Sequence, residues 1–103
     1  MPTYEALAAF QRQWGKLDAQ QREAFKKALA VFIANLKADG AFNPELRVHK
    51  LMNTEIWSLT WAKDGRALFR YGSELTEGET HIVWEAIGTH AEVYNFKIGR
   101  AHV

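Results

Sequence analysis

HIVWEAIGTHAEVY, residues 81–94, sets the architecture of the segments around it. Ile82, Val83 and Trp84, extended by Ala86 and Ile87, make a short apolar run rich in β-branched and aromatic residues, which predicts a buried strand ending at Gly88. The glycine breaks the strand and leaves Thr89 and His90 at its mouth, where a sheet meets solvent or a ligand. A histidine in that position either hydrogen-bonds a neighbouring carbonyl to hold the turn or takes part in chemistry. The elements around the strand bear on that choice.

Upstream of residue 81 the hydrophobic period is two. Ile56 to Trp61 reads as a strand with Trp57, Leu59 and Trp61 on one face and Ile56, Ser58 and Thr60 on the other. Ala67 to Tyr71 reads as its partner, because Asp64-Gly65 between two alternating runs is a strong hairpin signal. After Pro44, Leu46, Val48 and Lys50 alternate with Arg47, His49 and Leu51, which predicts a further strand, and Gly72 to Thr80 is a polar loop.

The first forty residues carry the other period. Tyr4, Leu7, Phe10, Trp14 and Leu17 recur at three and four residues and predict a helix, with a short strand over Thr3 to Glu5 as the alternative for its opening. Asp18 with Gln21 three positions on has the form of a capping box, so a second helix should begin at Ala19. Phe25, Leu29, Phe32, Ile33 and Leu36 form its stripe, and Asp39-Gly40 suits its end. The fold class expected is α+β, an N-terminal helical hairpin packed on one face of a three- or four-stranded antiparallel sheet, with the other face open.

That open face is cationic by parity. If Trp57, Leu59, Trp61, Phe69 and Tyr71 meet the helices, Arg66, Leu68 and Arg70 point away from them, and Arg47 and His49 join that side. Each basic residue alone reads as a solvated strand face that discourages edge pairing. Several together point to a polyanion. The clustering is local, since 13 Lys+Arg against 12 Asp+Glu leave a formal net charge of only +1.

Composition removes several function classes. The 103 residues form one continuous pattern, read as a single domain over residues 1–103 with a core large enough to need no staples. There are no cysteines, which excludes a disulfide framework, thiol catalysis and thiolate metal sites. MPTYEALAAF lacks the features of a signal peptide and no stretch approaches a membrane span, so a cytoplasmic location is expected. His49, His81, His90 and His102 show no ligand spacing, so neither metal nor cofactor is expected. Ser58, Thr60 and Thr89 have no visible triad partners, and Glu74, Glu77 and Glu79 read as a solvated loop.

With these motifs in place, the succession of a helical hairpin, LRVHKL, IWSLTWAKDGRALFRYG and HIVWEAIGTHAEVY resembles the RelE/ParE superfamily of bacterial type II toxins, over about Ala8 to Tyr94. Ile-Gly-Thr-His after an apolar strand is the most telling piece, and it resembles the YafQ-like branch of mRNA interferases, in which the corresponding histidine is catalytic. The resemblance implies His90 as a catalytic residue, Arg66 in the Gly-Arg segment as phosphate clamp, and His49 or Lys50 as a second proton-transfer or charge partner. It implies RNA contacts from Arg47, Arg70 and Tyr94, the last as an aromatic that stacks on a base. Relatives often carry an arginine shortly before Gly-Thr-His. This chain has Glu85-Ala86-Ile87 there, so the missing cation falls to Arg70 or Arg47.

The activity implied is metal-independent cleavage of messenger RNA, usually on the ribosome, within a toxin–antitoxin system. A base takes the ribose 2′-hydroxyl proton, the oxygen attacks the adjacent phosphorus, and an acid protonates the departing 5′-oxygen. Histidine suits either role because its unperturbed pKa of about 6.5 lies near neutrality, and arginine suits the phosphorane because its planar fork keeps its charge. An antitoxin protein, mRNA and the ribosome are the partners expected. The same superfamily also holds members that act on gyrase, so a non-catalytic protein that binds gyrase or only its antitoxin is the alternative.

Overall fold

A computed structural model describes residues 2–38 and 41–94. The predicted capping box forms: the Asp18 carboxylate accepts the Gln21 N–H at 2.7 Å, and the Gln21 side chain accepts the Asp18 N–H at 2.9 Å. Two orphan donors are thereby satisfied, and α2 (Ala19–Lys37) starts where the sequence places it. The preceding helix, α1 (Ala8–Lys16), meets it through Arg22, which donates to the Trp14 and Gly15 carbonyls and lies over the Trp14 ring. The predicted end of α2 at Asp39-Gly40 and the basic tail with Lys97, Arg100 and His102 lie outside the described residues.

The expected α+β class holds, with one more strand than three or four. The sheet has five strands, β1 (Thr3–Ala6), β2 (His49–Lys50), β3 (Trp57–Thr60), β4 (Gly65–Gly72) and β5 (His81–Thr89), in the order β1-β5-β4-β3-β2. The last four form the predicted antiparallel meander, while β1 adds a parallel edge with Thr3 opposite His81 and Ala6 opposite Trp84. The strand alternative for the opening thus holds, and Tyr4 and Leu7 precede the helix instead of lining it. Their helical spacing yields to the backbone hydrogen bonds that β5 offers, among them Leu7 N–H to the Trp84 carbonyl at 3.0 Å. Beyond the end of β1, the Ile87 N–H is satisfied by the side chain of Gln13 on α1 at 2.9 Å.

Two further expectations are corrected. The strand predicted over Leu46 to Leu51 shrinks to His49–Lys50, because Pro44–Leu46 forms a 3-10 turn and Arg47 takes a left-handed conformation with φ 46°. Proline sets the turn and removes a ladder donor, which overrides the alternation. Nor does Gly88 break β5, which runs through it to Thr89.

The helix-facing side of the sheet holds the core. Phe10, Phe25 and Phe32 from the helices meet Leu59, Phe69, Trp84 and Ile87 from the strands and Trp61 just after β3. Phe32 and Phe69 cross edge to face with centroids 5.1 Å apart. Ile82 and Trp84 reach this core at even positions and Ile87 at an odd one. A β-bulge explains the switch: Leu68 pairs with Ala86 and Phe69 with Trp84, leaving Glu85 as the extra residue. Ala86 then falls on the opposite side with Ile56, Leu68 and Val93. Among the described residues no helix is long and apolar enough to cross a membrane.

Candidate nucleic-acid interface

On the side of the sheet away from the helices, side chains line up in rows fixed by strand register. One row runs His49, Ser58, Leu68, Ala86 and the next Thr60, Arg66, Gly88. Helical residues 90–94 close one end and the segment before β2 the other. Between them lies a groove of about 560 Å³ lined by Arg47, His49, Ser58, Arg66, His90 and Tyr94 among others, over a floor that includes Leu51 and Leu68. Five of the residues singled out from the sequence therefore share one site.

His90 is the first helical residue after β5, and its placement is over-determined. Thr89 and Glu92 form a second capping box: the Thr89 hydroxyl accepts the Glu92 N–H at 3.2 Å, and the Glu92 carboxylate accepts the Thr89 N–H at 2.8 Å. A Cβ on residue 88 would stand 3.0 Å from that carboxylate, so glycine gives the box its room. The His90 N–H donates to the Asp64 carbonyl at 2.8 Å, tying the residue to the β3–β4 hairpin. Its exposed ring stacks on Tyr94 one turn later, with centroids 6.0 Å apart and planes at 18°. Thr89-x-x-Glu92 is legible in the sequence as a helix start, but the turn reading of Gly-Thr-His passes over it.

His49 and Arg47 are coupled. The left-handed backbone of Arg47 turns its carbonyl toward the His49 ring, and Nδ1 lies 2.8 Å from that oxygen. A carbonyl only accepts, so Nδ1 carries the proton and, in the neutral ring, Nε2 keeps its lone pair. Arg66 is held by its own hairpin: Nη1 donates to the carbonyls of Ala62, Lys63 and Gly65 at 3.0–3.3 Å. Among the described residues no carboxylate pairs with this guanidinium, whose charge is therefore available to a ligand. Gly65 is required at the hairpin, because a Cβ there would lie 2.6 Å from the Trp61 ring.

Two other sequence candidates are placed elsewhere. Lys50 sits opposite Trp57 on the helix-facing side of the sheet and pairs with Glu55 at 3.7 Å. Arg70 lies further along β4 and donates to the buried Glu85 at 2.9 Å, so the bulge residue that stands near the expected arginine occupies a cation instead of supplying one. Ser58 and Thr60 have no visible triad partners in the sequence, but their alternation with Trp57 and Leu59 predicts the face they share, and both residues line the groove. Among the described residues no three His, Asp or Glu side chains gather as a metal-binding set.

A sheet of this order backed by a helical hairpin is a fold shared with solved structures of RelE/ParE-type toxins. It aligns with YafQ from E. coli strain BL21(DE3) at 16% identity and a TM-score of 0.61, covering 91% of this chain and 99% of that one. The RelB-RelE antitoxin-toxin complex from Methanococcus jannaschii matches at 11% identity and a TM-score of 0.58, over 88% of this chain and 95% of that one. The YoeB/ParE toxin from Agrobacterium tumefaciens matches at 14% identity and a TM-score of 0.58, over 85% of this chain and 98% of that one. No family model and no curated protein matches the chain. The fold that the resemblance implies is thus the fold observed.

Proposed function

We propose that this chain is the toxin of a type II toxin–antitoxin pair and an endoribonuclease that cleaves messenger RNA by acid and base catalysis, in association with the ribosome. The observation that carries the reading is the convergence of two imidazoles, His49 and His90, and an unneutralised guanidinium, Arg66, on one groove. Nε2 of His49 takes the proton of the ribose 2′-hydroxyl. That oxygen attacks the adjacent phosphorus, and protonated His90 delivers its proton to the departing 5′-oxygen, leaving a 2′,3′-cyclic phosphate and a 5′-hydroxyl. Arg66 donates to the phosphorane as negative charge gathers on its oxygens. Lys50, facing the other side, leaves His49 as the second proton-transfer group, and no step calls for a metal ion. Arg47 holds a neighbouring phosphate, and Tyr94 offers a flat exposed ring to a base. The antitoxin partner follows from the neighbour whose structure is an antitoxin-toxin complex.

Induction of the chain in cells, followed by mapping of RNA ends, tests this. Wild type should arrest growth and leave cyclic-phosphate ends, and His90→Ala should lower cleavage by about 10²–10⁴-fold. Equal toxicity and equal cleavage in the two would remove His90 from the mechanism. The Arg70–Glu85 pair favours a second reading, a protein that binds gyrase or only its antitoxin without cutting RNA, since it withdraws one cation from the sheet face. Growth arrest with intact RNA would select it.

A further inference from the structure

A second groove, of about 660 Å³, lies between α2 and the β3–β4 hairpin, and no role in the proposed chemistry accounts for it. Its walls carry four cations, Lys27, Arg47, Lys63 and Arg66, against one carboxylate, Glu45. Among the described residues none of these five side chains is in an ion pair, although Lys26 one position away pairs with Glu23, and Lys50 with Glu55. In a chain whose formal net charge is +1, so many unpaired cations around one concavity is a concentrated positive field. Trp61 also lines this groove, and its indole Nε1 is buried without a hydrogen-bond partner among the described residues.

Arg47 and Arg66 line both grooves. A polyanion lying across the first therefore passes over these two guanidinium groups into the second. Arg47 occupies this seam in its left-handed conformation, a backbone state a non-glycine residue rarely adopts and one that tends to persist where function requires it. We propose that the second groove is a phosphate-binding subsite for single-stranded RNA, holding the backbone of nucleotides outside the cleaved step, with Lys27 and Lys63 as its own contacts and Arg47 and Arg66 shared. It supplies affinity and register without reading base identity, since ammonium groups on flexible stems act as point charges. This subsite rests on the RNA reading of the first groove.

The test is binding of fluorescein-labelled oligouridylates of about three and about nine nucleotides, in a series of salt concentrations, to wild type and to the Lys27→Ala, Lys63→Ala double variant. Both lysines are exposed, so the variant should keep the wild-type melting temperature. The longer oligonucleotide should bind the variant about tenfold more weakly, with a salt slope shallower by about 1.4, the value for two phosphate contacts on a single strand. The shorter one should bind both proteins alike. Wild-type affinity and slope of the variant for the longer oligonucleotide would overturn the subsite and leave the nuclease reading standing. Failure of the wild-type protein to bind either length would overturn both.

Discussion

The two faces of the sheet are made from the same strands and do opposite things. Toward the helices, Trp61, Phe69 and Trp84 interlock with Phe10, Phe25 and Phe32 in a continuous aromatic core. Away from them, the buried cluster is small, with Ile56, Leu68, Ala86 and Val93, and above it stand His49, Arg66 and His90 in an open groove. One face therefore carries most of the apolar burial that stabilises the fold, while on the other His49, Arg66 and His90 stand where a ligand can reach them. Residue-by-residue alternation along a strand makes this division possible.

The comparison breaks if substitutions on the two faces give the same phenotype. Phe32, almost wholly buried, should show the largest effect: Phe32→Ala should lower stability to denaturant by about 3–5 kcal/mol while activity per folded molecule is retained. Arg70→Ala sharpens the contrast within one strand. It should cost about 1–3 kcal/mol of stability, read from a melting curve, because the buried Glu85 carboxylate loses that charged donor, and should leave RNA affinity unchanged. Arg66→Ala should do the reverse. The smallest effect belongs to Thr89→Ala, at about 1 kcal/mol for the lost cap. Because the cap holds His90, cleavage should fall with KM unchanged, as turnover assays on a defined RNA would report.

Much of this arrangement is legible along the chain, and the rest has two causes, one local and one long-range. The Asp18 capping box, the Asp64-Gly65 hairpin and the alternation of Trp57, Ser58, Leu59 and Thr60 are local signals, and each element forms where its signal stands. The strand around His49 is shortened by Pro44 and the left-handed Arg47, a turn chemistry that alternation does not register. At the start of the chain the sequence allows both a helix and a short strand over Thr3 to Glu5, and the strand prevails through a partner 78 positions away, which no window of neighbouring residues contains.

Periodicity and capping are short-range effects, so the fold class, the order of the helices and the antiparallel strands, and the basic and imidazole groups on one side of the sheet can all be read along the chain. Three things follow instead from the assembled fold: His49 and not Lys50 joins His90 and Arg66, Glu85 takes up Arg70, and Arg47 stands where two cationic grooves meet. The first two depend on strand register and on one bulge, set by hydrogen bonds between strands, and the third on a left-handed residue that ends a local turn, whose effect on the grooves appears only once the sheet has formed.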